Sequence, residues 1–397
     1  MVLILAGLAS SFAQFGAISS LNDVAHHFGE SSATGTLRGA VGLSGSVLGL
    51  GLAVLRVASL GALPLAALAD RRGRVPVIRT TLVVGLVATA AAALSPSYWF
   101  FVVAFALARP LLSAASTVVQ VAVVETSRAA NRVSRLALLS AGAGVGAGLS
   151  AVLHSVIRGP QAFRWLFALA LLPALAMPRA LRRVPEPREH DPDARWARLG
   201  AVPRGLRSRA VTVAVIAAAV GAITGPANGF AFVYGEGVLH LSPGRVATIV
   251  IASGLAGLGG LLLSRRLARS IGRRPTVAIG IVSLAATSLL AYWGGATDFA
   301  IGYFSAIGAA GLLAPAASAL STEIFPAHVR ATTSGWVAVA GVVGATAGLV
   351  LFGWIGDTVG AHAVDGLRTA ALITFLPLVP TIALLVRLPE SAGVEIS

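Results

Sequence analysis

Leu68-Ala-Asp70-Arg-Arg-Gly73-Arg74-Val-Pro76 is the stretch on which this 397-residue chain turns, because it is written twice. Its echo reads Leu267-Ala-Arg269-Ser-Ile-Gly272-Arg273-Arg-Pro275, and Gly73 and Gly272 stand 199 positions apart. A second pair repeats at nearly the same offset. Glu125 and Arg132 are seven apart, as are Glu323 and Arg330, and the two pairs are offset by 198. A separation of half the chain length marks one unit duplicated in sequence, and such a repeat takes precedence over any residue-level reading.

Composition places both units in a membrane. The chain is 56% hydrophobic and 11% charged, against the ~25% charged residues of an average soluble domain. Apolar runs recur from end to end, each long enough to cross a hydrocarbon core that takes ~20 helical residues. The 45 glycines suit close helix packing in lipid. All 30 basic residues are Arg, and the net charge of +15 raises the question of nucleic acid. Their position answers it: they fall in short loops between apolar segments, as membrane topology demands, so no nucleic-acid partner is expected. The chain has no cysteine, which removes disulfides, thiol chemistry and thiolate metal sites.

Length, charge and breakers divide the chain into twelve apolar segments at about 2–22, 40–69, 76–94, 98–124, 135–157, 162–181, 211–233, 246–264, 275–293, 299–322, 333–355 and 369–388. The opening Met1-Val-Leu-Ile-Leu is apolar at once, without a basic leader, and reads as the first membrane helix and not a signal peptide. Residues 182–209 are rich in Pro and mixed charge and read as a solvated linker. The expected division is therefore a six-helix half over 1–181, a linker over 182–209 and a second half over 210–397. Of the 30 arginines, 23 follow the even-numbered segments. By the positive-inside rule this puts the linker and both termini in the cytoplasm of a plasma (cell inner) membrane protein.

The doubled loop and the doubled Glu-x6-Arg pair, on twelve segments in two halves, resemble the major facilitator superfamily over the whole chain. Thr322-Glu-Ile-Phe-Pro-Ala-His-Val-Arg330 is similar to the run after helix 10 in the sugar and metabolite porter branch. The resemblance implies an all-α membrane protein of two pseudo-symmetric six-helix halves. It further implies a secondary transporter working by alternating access. Two departures stand out. Ala66 occupies the place of a family glycine, and Arg269 stands where the first repeat has Asp70.

The charged loops read as a cytoplasmic gate: Asp70, Arg74, Glu125 and Arg132 in the first half, and Arg269, Arg273, Glu323 and Arg330 in the second. Topology alone needs no acids, so their presence points to ion pairs that form and break. Deep in the membrane only two ionisable residues remain, Arg109 and Arg56, ~24 and ~21 Å along their helices from Glu125 and Asp70. A charge at that depth costs at least ~2.5 kcal/mol, which makes each a functional candidate. Arg109 matches the arginine of the superfamily's helix-4 motif. The guanidinium fork suits an anion. Asp23 near the end of the first segment is the candidate for proton coupling, with Glu236 the next acid in reach. Gln14, Gln120 and Asn228, with Tyr234 at lower weight, complete the cavity candidates. Thr224-Gly-Pro-Ala-Asn228 reads as a break in the seventh segment that frees backbone groups. His154 and His362 read as solvated residues near the outer surface.

These residues lead to proton-coupled transport of a small organic anion or metabolite by a monomer that needs no cofactor and no metal. Efflux of drugs or hydrophobic metabolites is the alternative, although the deep carboxylate expected for cationic cargo is missing. A transport-inactive membrane sensor is the reading from another class. No metal-ligand spacing or nucleophile elbow supports an enzyme.

Overall fold

A computed structural model describes residues 1–30, 35–128, 131–159, 161–186 and 202–389. Among the described residues the chain is helical, without strands, and twelve helices are long and apolar enough to cross a membrane. They are α1 (Val2–Ser19), α2 (Gly45–Arg72), α3 (Arg74–Leu94), α4 (Tyr98–Glu125), α5 (Ser134–Val156), α6 (Ala162–Leu181), α7 (Arg204–Gly229), α8 (Pro243–Ser270), α9 (Arg273–Ala291), α10 (Ala296–Ser321), α11 (Thr332–Thr358) and α12 (Ala363–Arg387). Large apolar side chains such as Leu107, Leu255 and Val103 lie exposed on them. In water such a surface would aggregate, whereas in a bilayer it faces lipid.

Helix ends depart from the hydropathy reading where local chemistry intervenes. α1 stops at Ser19, and Asp23 lies on a separate short helix, Leu21–Phe28. A five-residue helix, Leu37–Val41, ends at Gly42 in the left-handed region (φ +89°), so α2 starts only at Gly45. α12 begins at Ala363 and tightens into 3-10 geometry from Leu376 to Arg387. Pro377 and Pro380 remove the N–H groups that α-helical bonding needs there. Much of the expected linker, residues 187–201, lies outside the described residues, and α-helix resumes at Arg207.

Packing divides the chain into two compact units: Met1–Phe28 with Val54–Ala197, and Gly29–Ala53 with Arg198–Ser397. The boundary cuts α2 after Ala53. In the first unit α1 packs on α5 and α3 on α4, around Ile78, Leu82, Leu86, Leu112 and Leu139. In the second, α7 packs on α11 and α10 on both α8 and α9. An aromatic cluster of Phe230, Tyr234, Tyr292, Phe352 and Phe375 fills its interior.

The helix crossings repeat as the loops do. A Cβ on Gly146 would overlap the Leu8 carbonyl of α1, and one on Gly344 would overlap the Ala218 carbonyl of α7. Gly146 and Gly344 are 198 positions apart, the same offset as Glu125 and Glu323. Small residues let backbones meet in lipid, where no hydrophobic force drives helices together. Gly344→Val should therefore lower the melting temperature in detergent, by the equivalent of ~1–3 kcal/mol of overpacking. Gly254→Val, at a position with open space around it, should leave the melt unchanged. Equal melts for the two variants would contradict this packing.

Candidate functional site

The loop at 68–76 is a corner between two membrane helices. Gly73 closes α2 at φ +90°, a backbone conformation that costs an L-residue with a Cβ. The turn brings Arg74, the first residue of α3, back under α4. The Arg74 guanidinium is buried and fully engaged. Nε and Nη2 donate to the two Glu125 carboxylate oxygens at 3.2 and 3.1 Å, Nη1 donates to the Ala69 carbonyl at 2.8 Å, and Nη2 lies 2.9 Å from Asp70. Glu186, from the chain after α6, fastens the backbone of the same corner. Its carboxylate accepts from the Arg74 and Val75 N–H groups at 2.5 and 3.0 Å. A carboxylate across the first free N–H groups of a helix also opposes the positive end of its dipole. Of the first gate set, Asp70, Arg74 and Glu125 thus meet, while the Arg132 side chain lies outside the described residues.

The second repeat reproduces the corner. Gly272 sits at φ +94°, and Arg273, first in α9, pairs with Glu323 beyond α10. Arg330 donates from Nε to the Phe325 carbonyl at 3.3 Å, and Arg269 is exposed.

Inside the first unit Arg109 on α4 and Arg56 on α2 lie near enough to feel each other's charge. Arg109 Nε is buried without a hydrogen-bond partner. Among the described residues neither guanidinium has a carboxylate partner. Gln14 joins a ladder between α1 and α4: it donates to Ser10 at 3.1 Å and accepts from Ser113 at 3.3 Å. Ser10 in turn contacts Ser116 and the Leu112 carbonyl, both at 2.9 Å. Gln120 is exposed on α4.

Three sites differ from the sequence reading. His154 is buried, not solvated, and stands 3.4 Å from Asp23. Burial raises the Asp23 carboxyl above the usual carboxylate range, against the pull of His154 and His26. The seventh segment does not break at Pro226: α7 continues to Gly229, followed by a π-helical turn, Val233–Val238, that buries Tyr234 and Glu236. Asn228 turns back to donate to the Thr224 carbonyl at 2.9 Å, and the Tyr292 hydroxyl donates to the Pro226 and Ala227 carbonyls. Burial pushes the Tyr234 hydroxyl up to about 12. Asp357 on α11 was not singled out by sequence, yet it caps α2. It accepts from Gly45 N, Ser46 N and Ser46 Oγ at 2.6, 2.7 and 2.5 Å, across more than 300 positions of chain. His362, by contrast, is exposed at the start of α12.

The second unit also has a half-open cavity of about 430 Å³ among α7, α9, α10, α11 and α12. Val213, Leu313 and Leu385 represent its apolar walls. Thr224, Ser318, Ser321 and Ser334 supply hydroxyls, and among the described residues no charged side chain lines it.

Twelve apolar helices and a duplicated Gly-Arg corner clasped by a distant Glu are what the family comparison meets. The sequence model of the Major Facilitator Superfamily matches residues 3–307 and 239–396. The chain belongs to the major facilitator superfamily. It is a multi-pass membrane transport protein, and its family are not enzymes. No curated protein sequence matches it significantly. Among solved structures, the D-xylose-proton symporter is 18% identical, with a TM-score of 0.76 over 99% of this chain and 98% of that one. A bacterial homologue of the human lysosomal transporter Spinster, inward-facing and occupied, gives 14% and 0.75 over 97% and 95%. The human organic anion transporter MFSD10 gives 16% and 0.66 over 96% and 98%. At these identities the likeness is one of fold.

Asp70 keeps 59% of its side-chain surface, whereas Glu125 keeps 19% and holds two guanidinium bonds. Glu125→Gln should therefore impair both folding yield and transport more than Asp70→Asn, because an exposed ion pair contributes only ~0–1 kcal/mol. Parallel measurement of membrane expression and uptake checks the order, and a larger effect at Asp70 would reverse this assignment.

Proposed function

We propose that the protein is a proton-coupled secondary transporter of a small organic anion or anionic metabolite, working by alternating access. The observation that carries this reading is Arg109. It is a guanidinium within a membrane span, with a buried Nε lacking a hydrogen-bond partner and with Arg56 as a second positive charge nearby. A cation held at such depth without a carboxylate creates a strong demand for an anion. In this reading residues 1–181 and 210–397 form the two halves. The linker 182–209 and both termini lie in the cytoplasm of a plasma membrane protein that acts as a monomer. The Arg–Glu clusters at Arg74 and Arg273 serve as gate elements. Among the similar folds, one solved protein is a proton symporter for a sugar and another is an organic anion transporter, which supports both parts of the reading as precedents.

Asp23 is the proton carrier in this account. Its raised pKa means the folded protein holds this proton more tightly than the unfolded chain does. Burial thus shifts the balance toward the neutral form, and stability falls as pH rises through the folded-state pKa. His154 at 3.4 Å is the group to which a released proton, or the negative charge it leaves, couples.

The uncharged cavity in the second unit favours a second reading, efflux of a hydrophobic metabolite. Purified protein in proteoliposomes separates the two. With a panel of labelled mono- and dicarboxylates, an imposed pH gradient should drive accumulation, Arg109→Ala should abolish it, and Asp23→Asn should leave exchange that no longer follows the gradient. Transport unchanged in Arg109→Ala would remove the anion reading, and gradient-independent transport by the parent protein would remove the proton coupling.

A further inference from the structure

Outside the transport machinery, α7 and α11 form a wedge. The two helices touch where a Cβ on Gly344 would overlap the Ala218 carbonyl, and a groove lined by both runs from there to Arg207 and Trp336. The groove between them has a volume of about 630 Å³. Ala210, Ala214 and Ala218, four apart on one face of α7, give it a shallow floor, and Val343 forms part of its opposite wall. Val343 is 57% exposed, so the groove opens to the surroundings and not into the core.

Its dimensions and charge fit one kind of molecule. From Arg207 to Ala218 is eleven residues, or ~16 Å along a helix. That is half of a ~30 Å hydrocarbon core, the depth of one leaflet. At the mouth, Arg204, Arg207 and Arg209 are all exposed, and Trp336 is 42% exposed. Aromatic and Arg side chains favour this depth, where hydrocarbon meets headgroups. Arg207 donates from Nε to the Val202 carbonyl at 3.1 Å, which holds the guanidinium at the mouth. No acid occurs from 194 to 235 or from 324 to 356, so nothing on either helix's share of the wedge offsets the positive charge.

We propose that this wedge binds one anionic phospholipid, its acyl chain lying along Ala210, Ala214 and Ala218 and its phosphate against Arg207. A zwitterionic lipid offers the same tail and loses the net charge. A soluble phosphate offers the charge and gains nothing from the groove.

Native mass spectrometry of the full chain, released from detergent with equal phosphatidylglycerol and phosphatidylcholine of matched acyl chains, tests this. The parent protein should retain phosphatidylglycerol preferentially. Arg207→Gln should lower that preference about fivefold, the loss expected of one Arg near an anionic surface. Ala214→Trp should displace both lipids by filling the wedge, and Ala214→Met serves if the larger side chain lowers folding yield. Equal retention of the two lipids by the parent, a preference untouched by Arg207→Gln, or displacement of the lipid by millimolar inorganic phosphate would each overturn the proposal.

Discussion

A guanidinium that cannot lose its charge and has been taken out of water must find partners, and Arg74 finds them in four directions. Two bonds go to Glu125, one to the Ala69 carbonyl and one contact to Asp70, while its backbone N–H is held by Glu186. The ends of α2, α3 and α4 and the chain after α6 are thereby tied to one residue. Burial makes the tie asymmetric. A fully buried ion pair contributes little over an apolar substitute, but removing one partner leaves a stranded charge at a cost of ~3–5 kcal/mol. With Glu125 still 19% exposed, the lower end of that range applies. Such a corner is specific more than it is strong, which suits an element that has to be made and unmade.

Duplication explains why the same corner recurs with Gly272, Arg273 and Glu323, and why the glycine crossings recur with it. It also shows what the second copy has lost. Where Asp70 closes the first clasp, Arg269 points into solvent, so the Arg273 pair lacks the i−4 acid that Arg74 has. The cut in α2 after Ala53 adds a further asymmetry. The start of that helix packs in the second unit, capped by Asp357, while its end packs in the first.

What could be read from sequence was what periodic composition and short spacing encode. Twelve spans followed from length and apolarity, and the family from two motifs at matching offsets. The Arg74–Glu125 meeting was legible because one residue opens a helix and the other closes one, at loops whose spacing is the same in the two copies. Glu186 was not, because it sits in a Pro-rich stretch whose charges looked merely solvated, and only the fold places it against a helix start. Asp357 failed for a similar reason, since its partners are backbone N–H groups, which leave no mark in sequence. His154 was misjudged as solvated because depth along an apolar helix does not say which face is buried. Pro226 was misjudged as a break because a proline removes one N–H bond without having to end a helix, and Asn228 and Tyr292 bond to carbonyls around it.

The corner depends on Arg74 and Glu125 acting as one unit, and a double-mutant cycle measures that most directly. Thermal or denaturant unfolding of the parent, Arg74→Leu, Glu125→Leu and the double variant gives the coupling free energy. If the clasp is as described, each single change strands a charge, the double change is no worse than the poorer single, and the coupling falls at ~1–3 kcal/mol. Losses that simply add, with coupling near zero, would mean that the two residues stabilise the corner independently and that the clasp is not its organising contact.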